Sequence, residues 1–298
     1  MTWTALIWIY LWLAGMAGGA FLAAKAAGRF SGSKDDSLLR LATWLGLPLA
    51  GIGVLLLIFE LGNPIRFWHL FTQFDFGSPM SMGTWILIAW ALIAVVMIVT
   101  WWLEGRVSQE AGASLAGLRK FLSRINIVLS AALITYTGVL LAVSSQSLWA
   151  GTILLPALFV VSAVSTGVAV LILAALALNQ MSGFTEWKTP KEMIVRLAEA
   201  DAIIIVVEIV VMVGYVIWLA TSTGGSDALG VLTTGSMAAP FWAGVVLLAL
   251  LIPFGLERTI RGKAAEAKGV MMTITTSSLC VIVGGLILRW VITSGGQL

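Results

Sequence analysis

Few side chains in this sequence can do chemistry, and the clearest is a carboxyl set in an apolar run: Glu208 in Ile203-Ile204-Ile205-Val206-Val207-Glu208-Ile209-Val210-Val211. An ionisable group held in hydrocarbon costs at least about 2.5–3.5 kcal/mol on insertion scales, so it marks a functional site by default. Glu208 must face an interior, where its work is proton transfer or a packing hydrogen bond to a neighbouring helix. Asp201 precedes it by one and a half to two turns, and together they could begin a proton path. Glu60 closes another apolar run, where it could pair with Arg66 or Arg289. Tyr136 sits inside Ile134-Thr135-Tyr136-Thr137-Gly138. A buried phenol seeks a hydrogen-bond partner; a quinone carbonyl is one candidate, and a backbone group or water the commoner one. His69, the single histidine, is either a proton-transfer group at a surface or a solvated loop residue. One histidine excludes a bis-histidine haem, and one cysteine, Cys280, excludes a disulfide or a thiolate cage for an iron–sulfur cluster within this chain.

The elements that must position these groups follow from composition. Of 298 residues, 60% are hydrophobic and 10% charged, against about 45–50% and 25% in soluble domains. A soluble fold is excluded. The net charge of +3 reads through its placement across a membrane, and nucleic acid is not an expected partner. A bilayer core of about 30 Å needs roughly 20 apolar helical residues per crossing, and spanning backbone must satisfy its own hydrogen bonds. Eight such runs are predicted, at about 4–25, 42–60, 83–103, 125–144, 153–179, 202–220, 240–256 and 270–292. The expected fold class is an all-α integral membrane protein of eight transmembrane helices.

Fifteen of the 17 lysines and arginines fall after the first, third, fifth and seventh runs. Only Arg66 and Arg289 fall toward the other side. The positive-inside rule then puts both termini outside. The N-terminus lacks the basic start of a signal peptide, so the first run is expected to be an uncleaved span. Tryptophans such as Trp3, Trp44, Trp149 and Trp290 are expected to form interfacial belts. The joint at 144–152 divides the chain into expected four-helix bundles over 1–148 and 149–298. Gly15 and Gly19 give the first helix a small-xxx-small face, and Ser162, Ser165 and Thr166 form a polar stripe expected to act as interhelical glue. Leu61 to Met82 forms an aromatic-rich outer segment framed by proline turns.

Several segments together resemble one family. Trp8-Ile9-Tyr10-Leu11-Trp12-Leu13-Ala14-Gly15-Met16-Ala17-Gly18-Gly19 is similar to the opening helix of the polysulfide reductase membrane subunits, the NrfD/PsrC family. Glu60-Leu61-Gly62-Asn63-Pro64-Ile65-Arg66-Phe67 followed by Ser78-Pro79-Met80-Ser81-Met82-Gly83 resembles the family's Asp/Glu-Leu-Gly-x-Pro-x-Arg-Phe segment and its Ser-Pro-Met-Ser-x-Gly turn. Tyr136-Thr137-Gly138, Leu155-Pro156-Ala157-Leu158-Phe159 and Gly284-Gly285-Leu286-Ile287-Leu288-Arg289 continue the likeness in order.

The resemblance implies a haem-free subunit of the cell's inner, cytoplasmic membrane. It would exchange electrons between menaquinone or another quinone and a docked iron–sulfur subunit, usually backed by a molybdopterin catalytic subunit on the outer face. It implies a quinone pocket among the first four helices near the outer side. Tyr136 would bond the quinone head and Glu60 would transfer protons beside it, with Arg66 and His69 nearby. Where the family often carries Asn or His on the first helix, this chain offers Tyr10 and Thr4. Glu208 and Asp201 would connect the site to the cytoplasm. A transporter or ion-translocating module, or a membrane anchor without a redox role, would keep the fold and lose Tyr136 as a site.

Overall fold

The structure is a computed structural model that describes residues 4–31, 36–60, 79–104, 106–143, 148–149, 151–181, 187–222 and 224–298. Among these, nine helices form and no strand does: α1 (Ala5–Ser31), α2 (Ser37–Glu60), α3 (Pro79–Glu104), α4 (Gln109–Ala142), α5 (Leu154–Gln180), α6 (Lys191–Thr221), α7 (Gly225–Thr233), α8 (Pro240–Ile260) and α9 (Val270–Gly295). All but the nine-residue α7 are long and apolar enough to cross a bilayer. The chain is a multi-pass integral membrane protein, as its composition requires.

Helix α1 is the most enclosed of the eight and packs on α2, α4, α5 and α9. Its sequence explains that place. Ala14, Ala17 and Ala20 are fully buried, and its glycines let neighbouring backbones touch. A Cβ on Gly19 would lie 2.0 Å from the Ala163 carbonyl oxygen of α5, and one on Gly167 would lie 2.3 Å from the Ala20 nitrogen of α1. Without a hydrophobic force between helices in lipid, such close packing is what holds them. Gly19→Ala is therefore expected to destabilise the protein by about 1–3 kcal/mol, read as a lower unfolding temperature of the purified chain.

Four features depart from the sequence expectations. Helix α4 starts at Gln109 rather than near 125, and α6 at Lys191 rather than near 202. Hydropathy marks only the hydrocarbon-crossing part, while the helical ladder runs on through Arg119, Lys120, Arg124 and Arg196. Helix α2 begins at Ser37 rather than near 42, which leaves Pro48 in its interior. Pro240–Leu251 is wound as a π-helix, with the Ile252 N–H reaching the Leu247 carbonyl. Pro253 has no N–H and crowds the preceding turn, and the wider π turn accommodates that break. Trp149 is 1% exposed and donates to the Ile292 carbonyl at 2.7 Å. It is a core residue tying the start of α5 to α9 rather than a belt residue.

The basic helix ends meet at one face. Arg119 Nη1 donates to Glu104 at 2.8 Å and its Nε lies 3.6 Å from Asp36. Lys25 Nζ donates to Ser123 Oγ at 2.9 Å. These contacts join the ends of α1, α2, α3 and α4 across their connecting turns.

Candidate functional site

Two groups of buried polar side chains are assembled, one among α1–α4 and one among α5, α6, α8 and α9, and both abut α1. The first lies one to two turns below the end opposite the basic face. Tyr10 projects from α1, about 8 Å into that helix, and Tyr136 from α4, about 9 Å from its last residue. They are 1% and 6% exposed. Gly83 on α3 decides where Tyr136 lies: a Cβ there would sit 1.9 Å from Tyr136 Cζ and 2.2 Å from Cε2. The phenol ring rests directly on the α3 backbone. Tyr10 packs in turn against Gly53 of α2, whose Cβ would lie 3.1 Å from Tyr10 Cδ2. Glycines on α2 and α3 thus leave room for a tyrosine pair.

The two phenols lie within hydrogen-bonding reach of each other, but the buried Tyr10 hydroxyl makes no hydrogen bond of good geometry within the protein. A buried unpaired hydroxyl costs about 1–3 kcal/mol, and an oxygen acceptor placed beside the pair would remove that penalty. An apolar cavity of about 350 Å³ lies between α2 and α3, its lining including Val54 and Thr84, the residues that follow Gly53 and Gly83. Ala50, Val54 and Leu57 line it from α2, and Thr84, Leu87 and Ala91 from α3. Thr84 follows Gly83, so this groove reaches the turn that carries the Tyr136 ring. Its size and lining suit an isoprenoid or acyl tail.

Glu60 ends α2 above this pair and accepts a hydrogen bond from Thr4 at the start of α1. The two helix ends are thereby tied. Arg289 is not beside it. That residue is fully buried, about 9 Å inside the end of α9, and its Nη1 donates to Ser162 Oγ at 3.0 Å and to the Gly285 carbonyl at 2.9 Å. Its guanidinium also lies 5.4 Å from the Phe159 ring centre. A Glu60–Arg289 pair is therefore not formed, because Ser162 and Glu208 draw the arginine inward. Arg66 and His69 lie outside the described residues.

The second group runs inward from the basic face. Glu257, one turn from the end of α8, is 3% exposed and accepts from Ser277 Oγ at 2.7 Å. It acts electrostatically on Asp201 of α6, which is 1% exposed and lies beside Ser165. Neither Asp201 Oδ1 nor Ser165 Oγ has a well-formed hydrogen bond. Glu208, 4% exposed, follows about two turns deeper, beside Ser162 and within the field of Arg289. The row ends where Arg289 Nη2 meets α1: a Cβ on Gly15 would lie 3.2 Å from it. That point is about 8 Å below Tyr10 along α1.

Carboxyl and hydroxyl groups in such a row can pass protons, directly or through water held by the unpaired atoms. The expected glue role of the α5 serines describes Ser162, which joins α5 to α9. Ser165 is likewise set against α6, its hydroxyl beside the Asp201 carboxyl. Among the described residues no group of three or more histidine, cysteine or carboxyl side chains is placed to hold a metal ion.

Sequence reasoning missed Gly83's role, Glu257, Ser277 and Asn126. Glu257 precedes Arg258 and reads as part of a solvated loop. The signal that it turns inward is its helical spacing, one turn from Pro253 on one side and from Ile260 on the other, all three buried on one face. Asn126 is fully buried on α4 with both amide atoms unpaired, and its neighbour Ser130 accepts from the Trp90 indole at 2.8 Å.

The whole chain, residues 1–298, matches the family model described as polysulphide reductase, NrfD. It is 27% identical over 311 residues to the C chain of polysulfide reductase from Wolinella succinogenes, covering 100% of this protein and 95% of that one. It is 27% identical over 315 residues to protein NrfD of Escherichia coli, covering 100% and 96%. The protein NrfD homolog of Haemophilus influenzae is also 27% identical, over 314 residues, covering 100% of this protein and 95% of that one. The apolar eight-span architecture and the full-length match agree, and the chain belongs to the NrfD polysulphide reductase family.

Proposed function

We propose that this protein is the haem-free quinone-reactive subunit of a membrane reductase complex. It exchanges electrons between menaquinone or another quinone and a docked iron–sulfur subunit, which a molybdopterin catalytic subunit backs. The observation that carries this reading is the Tyr10–Tyr136 pair on Gly53 and Gly83, with an unpaired buried hydroxyl and an apolar groove beside it. The Wolinella relative, named as one chain of a polysulfide reductase, supports a place in a multi-chain reductase.

In this reading the subunit sits in the cytoplasmic membrane with its termini and its redox partners outside, as the basic residues' distribution favours. Residues 1–148 form the quinone-binding unit and 149–298 the proton-conducting one. A quinol, when bound here, would supply electrons and protons together. Tyr136 and Tyr10 hold its oxygen at the α1–α4 interface, and the α2–α3 groove seats its tail. Glu60, tied to Thr4 above the pair, takes or gives protons at the outer end. Arg66 and His69, on the connection that follows Glu60, belong to the same outer region by sequence.

Glu208 and Asp201, joined by Glu257, carry protons between the basic face and α1. The seven-position separation of Asp201 and Glu208 sets a step of about 10 Å along α6, with Ser165 and Ser162 beside it. Glu208→Gln is expected to preserve quinone binding and to abolish proton uptake coupled to turnover, measured in vesicles with a pH-sensitive dye. Unchanged coupling would remove this route. The reading as a whole is tested by the quinone content of the purified native complex and by binding of a quinone analogue. Bound quinone supports it; none, with no analogue binding, favours an anchor or a transporter.

A further inference from the structure

A second chamber lies at the basic face, remote from the tyrosine pair and unused by the mechanism above. It encloses about 710 Å³ between the end of α1, the start of α2, α4 and the residues leading into α6. Among the described residues Lys25, Arg29, Lys120 and Arg124 line it, against one carboxylate, Asp36. Asp36 is shared with Arg119, whose Nε lies 3.6 Å away. Lys25, Lys120 and Arg124 are close enough to act on one another electrostatically. Like charges gathered in this way repel unless an anion sits among them. Two helix N-termini add to the positive field, since Ser37 of α2 and Thr189-Pro190 before α6 also line the chamber.

The chamber is not closed. At Leu22, Ala26 and Met193, which line both, it adjoins an apolar groove of about 310 Å³. The groove exists because α1 and α6 both pack on α5 and leave a gap between themselves. Ala23, Ala26 and Ala27 keep its α1 wall low, while Val168, Leu197 and Ile204 form the other sides. A cationic chamber adjoining an apolar groove at a membrane surface is complementary to a molecule with an anionic head and hydrocarbon tails. A quinone has no anionic head, and a free phosphate leaves the groove empty.

We propose that this chamber and groove together bind an anionic phospholipid, with its phosphate among Lys25, Arg29, Lys120 and Arg124 and an acyl chain along α1 and α6. Basic pockets between membrane helices on the positively charged side take such headgroups. Seated there, the lipid bridges α1, α4 and α6 across the two halves of the protein.

The test uses the full chain purified in detergent, stripped of lipid and then offered phosphatidylglycerol, cardiolipin, phosphatidylcholine or inorganic phosphate, with occupancy read by native mass spectrometry. An anionic lipid is expected to bind in preference to phosphatidylcholine. Lys120→Gln with Arg124→Gln is expected to weaken its binding roughly ten- to thirty-fold. Arg258→Gln with Lys263→Gln, exposed charges outside the chamber, should change nothing. Ala26→Phe fills the junction and should block the lipid while sparing inorganic phosphate, which separates loss of the tail site from misfolding. Equal retention of phosphatidylcholine, full retention by the Lys120/Arg124 variant, or inorganic phosphate binding as tightly as the lipid would each overturn the proposal. Quinone binding is read separately, since the chamber shares no residue with the tyrosine pair.

Discussion

Gly83→Ala is expected to slow quinone turnover by about a hundred-fold, as much as Tyr136→Phe, although it adds one methyl group and removes no polar atom. The added carbon would fall 1.9 Å from Tyr136 Cζ, so the ring or helix α3 must move by more than an ångström. A displacement of that size at a reacting group costs about a hundred-fold, and loss of one oxygen-directed donor costs a similar factor. The two variants differ in stability. Tyr136→Phe keeps the ring on its glycine and should unfold like the wild type, while Gly83→Ala should be weaker by about 1–3 kcal/mol. Gly117→Ala, on α4 with open space around its added carbon and outside the α2–α3 groove, serves as the matched control. Wild-type quinol turnover in Gly83→Ala would show that the position of Tyr136 does not matter.

Arg289→Leu is expected to be the most destabilising single change in the second half of the chain, by about 3–5 kcal/mol. It removes the cation beside Glu208 and the donor to Ser162 and to the Gly285 carbonyl. A carboxyl would then be left buried without its partner. Glu208→Gln keeps a polar group beside Ser162 and should cost less. In the double variant the loss should fall short of the sum, because the charge that Arg289→Leu strands is gone. Unfolding of the four proteins in detergent measures that coupling, and strictly additive losses would mean that the two side chains do not interact.

The arginine also illustrates what the sequence conceals. Eight spans are legible because each is a long apolar run, and Glu208 and Asp201 are legible because a carboxyl inside such a run has to turn inward. Both are buried. Arg289 follows an equally apolar run but lies near its end, where a long side chain ordinarily reaches water. Only the approach of α5 and α6 shows that Ser162 and Glu208 hold it inside. Glu257 is hidden for the opposite reason, since neighbouring charges make it look like loop. Tyr136 and Glu60 can be singled out from motif segments, yet Gly83 acquires its meaning only when α3 and α4 come together. The π-helical winding of Pro240–Leu251 leaves no mark in composition, apart from Pro253 beyond its end.

The central claim is that a quinone head binds at the tyrosine pair. Photoaffinity labelling of the purified native complex with an azidoquinone, followed by peptide mapping, tests it most directly. Labels are expected on the α3 segment around Gly83 and Thr84 and on the α4 segment around Tyr136, displaced by excess quinone and reduced in Tyr136→Phe. Displaceable labels confined to α6–α9, or none in an active complex, would contradict it.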